Sequence, residues 1–318
     1  MIPRESSPVN ATRRWLPAYL LLALIWGFSF YLIMIGLESF TPVGVAFLRI
    51  VFGMVTMLII SAVTRTPLPP RWSWKYLFVA AIVMNTVPWI MFGFGETRVS
   101  SALAGIINGA TPLMTLLAIL IAFPEERPTR QRIIGLLVGF VGVLVVIGIW
   151  NGMSSSSWVG VLALLVAITC YGISYPYVRR HLSGSRENSG DPTRQPISPI
   201  ALATGLLIMA TIQTAPIVAI TGVTSAPVTS SSFLALLALG VLGSGIAYVL
   251  NFRVIALSDA TTASTVTYLT PLVAVIVGAV LLQEKISWHE PVGAVLIVIG
   301  AATAQGILTS RRRFTAPS

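Results

Sequence analysis

Few side chains in this sequence are equipped for covalent chemistry. It holds two histidines, His181 and His289, a single cysteine, Cys170, and ten acidic residues in a chain of 318. The histidines fall in separate segments between apolar stretches, and Cys170 has no base beside it in sequence. No nucleophile–base pair and no metal-ligand spacing emerges, so no catalytic residue, metal or cofactor is assigned. A lone cysteine also excludes an internal disulfide. What the sequence offers instead is a set of polar and aromatic groups stranded in apolar surroundings. They are Trp26, Asn85, Trp89, Asn108, Thr111, Tyr171, Tyr175, Ser244, Tyr248, Thr267 and Thr270. Buried indole and phenol groups need hydrogen-bond partners, which lipid cannot supply. Such a set can hold a small neutral, zwitterionic or amphipathic molecule by shape and hydrogen bonds.

Two prolines sharpen this reading. Pro112 and Pro271 each free the carbonyl four residues earlier, those of Asn108 and Thr267. An irregular backbone inside a membrane is tolerated only against protein or a water-filled cavity. Each site is either a substrate contact or a kink whose carbonyl is satisfied by a neighbouring hydroxyl, and the sequence leaves both open. Cavity lining and helix packing likewise remain alternatives for Trp26 and Trp89. Arg49 is the one basic residue inside an apolar stretch. Its candidate partners are Glu38, Glu96 or a substrate carboxylate, with a structural role favoured. No Asp or Glu falls in the middle of a stretch, so the usual ion-coupling carboxylate is missing.

The elements that must position these residues follow from composition. Hydrophobic residues make up 55% of the chain and charged residues 9%, with a mean hydropathy of +0.87. A soluble globule carries about 25% charged residues, so this chain belongs in a bilayer. Uncharged stretches long enough to cross about 30 Å of hydrocarbon place helices near 16–36, 42–63, 75–94, 100–122, 133–149, 158–178, 199–220, 233–252, 262–282 and 291–308. The fold class is all-α integral membrane, with ten transmembrane helices. The first helix is too long for a cleavable signal and lacks a cleavage site. Trp15, Trp72, Trp74, Trp150, Trp158 and Trp288 fall at helix ends, where indole rings favour the headgroup region.

Charge sets the orientation. With the N-terminus inside, all twenty basic residues except Arg49, Arg98 and Lys285 fall in cytoplasmic segments. The net charge of +10 is therefore a topology signal. Nucleic acid is not a partner on this reading, because the basic residues are scattered over short loops. The Arg311–Arg313 run meets anionic lipid headgroups. Both termini are cytoplasmic in a multi-pass plasma-membrane protein, the bacterial inner membrane.

The chain also repeats itself. WGFSF at 26–30 matches YGISY at 171–175, and ATPL at 110–113 matches LTPL at 269–272. Each half holds five helices, an odd number, so the halves form two inverted five-helix repeats, an architecture tied to alternating access. The division runs as a tail at 1–15, a first repeat at 16–149, a second at 150–308 and a basic tail at 309–318. A polar loop at 179–198 interrupts the second repeat. The repeat pairs Trp26 with Tyr171, Trp89 with Tyr248 and Asn85 with Ser244. Gly105-x-x-x-Gly109 and Gly135-x-x-x-Gly139 mark close helix approach. The first packs inside the bundle; the second serves either folding or a homodimer.

These features resemble the drug/metabolite transporter superfamily in its ten-helix EamA-type exporter branch. The resemblance rests on Trp26-Gly27, Pro42, Arg49, Thr111-Pro112-Leu113, Thr270-Pro271-Leu272, Glu284 and Gly293, over about residues 16–308. It implies export of small metabolites or drugs across the plasma membrane. With one basic residue able to reach a cavity, amino-acid-like molecules lead as substrates and aromatic drugs follow. A channel, an assembly factor and an intramembrane enzyme are the competing classes.

Overall fold

The computed structural model describes residues 8–122, 129–148, 150, 155–182, 197–258, 263 and 265–305. The Arg311–Arg313 run and most of the 179–198 loop lie outside the described residues. The regular secondary structure of the described residues is helical, apart from one isolated bridge between Phe40 and Thr224. The helices are α1 (Pro8–Leu37), α2 (Pro42–Val63), α3 (Trp74–Ala81), α4 (Val87–Glu96), α5 (Ser101–Asn108), α6 (Thr111–Ala122) and α7 (Arg130–Ile147). There follow α8 (Ser155–His181), α9 (Pro199–Thr221), α10 (Ser230–Gly240), α11 (Ala247–Leu257), α12 (Val266–Leu281) and α13 (His289–Ala304). A π-helical turn, Ile82–Thr86, joins α3 to α4, and a second, Val241–Ile246, joins α10 to α11.

Among the described residues eight stretches of helix are long and apolar enough to cross a membrane, and α12 and α13 are shorter apolar helices of 16 residues each. This is a multi-pass membrane protein. Its outward faces are apolar, with Ile121 72%, Val280 67% and Leu137 62% exposed, a surface that water would not tolerate but hydrocarbon does.

Local chemistry explains the helix starts. Thr41 accepts the Gly44 N–H at 2.9 Å, and Pro42 occupies the first turn, so α2 begins where the sequence reading put it. Ser100, Thr129, Ser198 and Thr229 cap α5, α7, α9 and α10 in the same way. Thr129 starts α7 at Arg130, three residues ahead of the expected 133, because capped polar residues extend a span beyond its apolar part. Gly148, at φ 64°, ends it.

Small residues decide which helices touch. A side chain on Gly135 would strike the backbone of Gly300 and Ala304, and one on Gly300 would strike Gly139. Gly142 lies against Ile297, and Gly293 against Val146. The Gly135-x-x-x-Gly139 face is therefore used within the chain, against α13, and serves folding; it is not free for a homodimer. Gly105 and Gly109 pack on Ala274 and Pro271 of α12, inside the bundle as expected. Elsewhere α1 packs on α12, α6 on α8, α4 on α8, α1 on α11, and α2 on α9.

One end of the bundle is laced together. Thr41 N–H donates to the Val223 carbonyl and Ser225 N–H to the Ser39 carbonyl, both at 3.0 Å. The buried Ser39 hydroxyl donates to the Pro227 carbonyl at 3.0 Å and contacts Ser232 Oγ at 3.1 Å. Ser232 Oγ also donates to the Ile35 carbonyl at 2.8 Å. The α1–α2 turn is thereby tied to the α9–α10 connection.

Candidate binding cavity

A cavity of about 300 Å³ lies within the bundle, walled by α1, α2, α4, α5, α6, α8, α9, α11 and α12 together with both π-turn regions. Trp26, Trp89, Asn108, Thr111, Tyr171, Tyr175, Tyr248, Thr267 and Thr270 all line it. Nine of the eleven residues singled out from sequence thus meet around one space. The physical reason is that polar groups on membrane helices turn away from lipid, whatever their separation in sequence.

Asn85 and Ser244 do not line the cavity; they stand directly behind it. Asn85 is fully buried in the first π-turn and donates to the Tyr248 hydroxyl at 3.4 Å. Ser244 is buried in the second π-turn and accepts the Arg49 Nε–H at 3.0 Å. The extra residue in a π-turn rotates the following helix and breaks the regular hydrogen-bond ladder. Both residues of this sequence pair therefore occupy irregular turns and support wall residues.

The aromatic groups also pair differently from the repeat. Trp89 Nε1–H donates to the Tyr171 hydroxyl at 2.7 Å, so the two aromatics of different repeat pairs bind one another. Phe92 lies 6.1 Å from the Tyr171 ring and 5.7 Å from Phe30. Tyr248 stacks on Phe252 at 6.2 Å. Together these rings make one continuous apolar wall.

At the first proline the freed carbonyl is not unpaired. The Thr111 hydroxyl donates to Asn108 O at 2.7 Å, and the helix breaks between α5 and α6. The kink reading therefore holds for the Asn108 carbonyl, while the side chains of Asn108 and Thr111 still face the cavity. At the second proline α12 continues through Pro271, and the Thr270 hydroxyl donates to Val266 O at 3.2 Å. The two halves are thus chemically unequal at this point.

Sequence reasoning favoured a structural role for Arg49, with a substrate carboxylate as one alternative partner, and left it out of the site residues; the structure places it in the wall. It is 9% exposed, its guanidinium lies 4.1 Å from the Trp89 ring centroid, and it lines the cavity. Depth alone could not reveal which face of α2 it occupies. Glu96, one of the partners that the sequence suggested for Arg49, accepts none of its N–H groups. It is 2% exposed at the end of α4, and neither carboxylate oxygen has a hydrogen-bond partner among the described residues. The neighbouring Gly93 and Gly95 let Pro42 and Leu164 close over that turn.

The histidines stand apart from the cavity. His181 stacks on Tyr76 at 5.0 Å, and His289 Nδ1 lies 3.1 Å from the Val146 carbonyl. Among the described residues no group of three or more His, Cys, Asp or Glu could hold a metal ion. Glu284 is a tether: its two oxygens accept the Ser101 and Ala102 N–H groups at 2.8 and 3.0 Å.

A multi-pass helical bundle enclosing an aromatic and hydroxyl-lined cavity is the architecture of a solute carrier. The chain belongs to the EamA-like transporter family, whose sequence profile matches residues 13–148 and again 158–304. It is 26% identical over 306 residues to the uncharacterized inner membrane transporter YedA of Escherichia coli K12, covering 93% of this chain and 92% of that one. An uncharacterized transporter of Archaeoglobus fulgidus is 22% identical over 291 residues, covering 91% and 97%. Protein PagO of Salmonella typhimurium is 27% identical over 164 residues, 51% of this chain and 54% of that protein. A solved crystal structure with 20% sequence identity superposes with a TM-score of 0.64 over 96% of this chain and all of the other, a likeness of fold.

Proposed function

We propose that this protein carries small neutral, zwitterionic or amphipathic metabolites, amino-acid-like molecules foremost, outward across the plasma membrane by alternating access. The observation that carries this reading is the cavity together with the lacing that ties the turns at one end of the bundle. Its wall includes Tyr175 and Val178 near the end of α8, Leu202 near the start of α9, and Asn251 and Phe252 towards the end of α11. With a cytoplasmic N-terminus these positions all lie towards the cytoplasm. The laced turns at Ser39 and Thr41 lie at the opposite end. Such a form would load from inside, as an exporter must.

Ten crossings and two cytoplasmic termini complete the reading, with α12 and α13 as the ninth and tenth crossings. Two lines support an inverted repeat. The family profile matches twice in succession. Exchanging the halves also maps the α1–α12 contact onto α8–α6, and α4–α8 onto α11–α1. The partners are a small-molecule substrate and membrane lipid, without nucleic acid. Because one chain supplies the whole cavity wall, a homodimer would not be needed to complete the site.

The test has two stages. Metabolites that accumulate differently in cells with and without the protein identify candidates, and purified protein in liposomes is then assayed for saturable flux of those candidates. Turnover of a compound without movement, or flux that never saturates, would sink the carrier reading.

A further inference from the structure

We propose that Arg49 is the anion-binding element of the cavity, and that the cargo presents to it a single carboxylate. This inference rests on the carrier reading above and narrows its substrate class. An arginine held purely for structure would have its donors used within the protein. Arg49 has five N–H donors to satisfy. Nε–H is taken by Ser244 Oγ at 3.0 Å, and the guanidinium face rests on Trp89. Its other N–H groups have no hydrogen-bond partner among the described residues. Neither candidate carboxylate takes them: Glu38 is exposed, and Glu96 is buried without any hydrogen bond. The side chain is nonetheless nine-tenths buried and lines the cavity. A charge so placed needs an acceptor, and the cavity is where one can arrive.

The surrounding residues hold the guanidinium still. A side chain on Gly53 would lie 2.8 Å from Ser244 Cβ, and one on Gly240 would lie 2.9 Å from the Arg49 carbonyl. These glycines let α2 approach the second π-turn closely enough for Ser244 to bind Nε. On the other side, Trp89 is fixed by its bond to Tyr171 at 2.7 Å. With Nε engaged and Cζ held over the Trp89 ring, the remaining N–H groups are left for the two parallel hydrogen bonds that a carboxylate accepts.

Charge arithmetic selects the ligand. Arg49 is the single charged side chain among the described residues of the cavity wall. It can offset at most one negative charge, and the buried Glu96 already lies within electrostatic reach of it, so a dianion would leave charge uncompensated in a low-dielectric site. An organic cation without a carboxylate meets repulsion. The favoured cargo is a monocarboxylate or an α-amino acid, with its apolar part against the aromatic wall.

Equilibrium binding to purified protein, with L-phenylalanine, 3-phenylpropionate and L-phenylalaninamide as probes, tests this. The wild type should bind both carboxylates at least about tenfold tighter than the amide, the worth of hydrogen bonds to a charged group. Arg49→Gln should abolish that preference, and Arg49→Lys should keep part of it. Ser244→Ala, which loosens Arg49 without removing charge, should weaken the carboxylates several-fold and leave the amide unchanged. It also serves as the second variant if Arg49→Gln fails to fold. A wild type that binds neither carboxylate or prefers the amide would overturn the proposal, as would an Arg49→Gln protein that keeps the preference. The two readings fail separately. Saturable liposome flux without carboxylate preference removes this inference and leaves the carrier. Carboxylate-selective binding without any flux does the reverse.

Discussion

Removing the Glu284 side chain isolates one interaction that joins distant parts of the chain. Its carboxylate, beyond the end of α12, accepts the first two N–H groups of α5, at 2.8 and 3.0 Å. Glu284→Ala would leave both donors without an acceptor, while Ser100 still caps Leu103 N–H. Net hydrogen bonds to a charged group are worth about 1.5–3 kcal/mol each. Glu284 is only half-buried, so water recovers part of the loss. The expected cost is about 2–3 kcal/mol, at the upper end of the range for losing a helix cap. Glu284→Gln keeps a neutral acceptor for one N–H and should cost about half as much. Unfolding of purified protein in mixed micelles, followed by circular dichroism against denaturing detergent, measures both. Because Glu284 is not part of the cavity wall, probe binding per folded molecule should be unchanged. An alanine variant within about 0.5 kcal/mol of wild type would refute the tether, since surface substitutions alone fall in that range.

Three further outcomes follow from packing and hydrogen bonds. Gly300→Leu drives a side chain into the Gly139 backbone and should reduce folded yield severely, whereas Val292→Leu on the exposed side of α13 should not; detergent gel filtration compares them. Ser39→Ala removes the donor to Pro227 and should raise labelling of a Ser29→Cys, Cys170→Ala protein by impermeant thiol reagent added outside; unchanged labelling would show the lacing is not a closure. Pro112→Ala should leave binding within about threefold, because the Asn108 carbonyl already has Thr111 as donor, while Thr111→Val should cost about 1–3 kcal/mol of stability by stranding that carbonyl.

The spans were legible because charge is expensive in hydrocarbon, and Pro42–Val63 was read to the residue because Thr41 and Pro42 state its start chemically. The cavity was legible for a related reason: Trp26, Trp89, Tyr171 and Thr270 have nowhere but the interior to put their polar atoms. Arg49 was found at the right depth but on an unknown face, since a helix rotates 100° per residue and no polar neighbour fixed its phase. The π-turns carry no composition signal, so Asn85 and Ser244 were grouped with the wall they only support. The partner of the Asn108 carbonyl depended on a hydroxyl rotamer that spacing does not encode. Glu96 was legible only as a candidate partner of Arg49; its burial comes with the close approach of Pro42 and Leu164 at Gly93 and Gly95.

On the proposed function, cargo passes through the cavity between Trp26, Arg49 and Tyr171. The most direct test places one cysteine in the cavity wall near the end of α8, the cytoplasmic side on the proposed topology, as Val178→Cys with Cys170→Ala, in liposomes showing saturable flux. A bulky thiol reagent reaching that side should label the protein and stop flux in proportion to labelling, and saturating substrate should slow the labelling. Complete labelling with undiminished flux would contradict the claim.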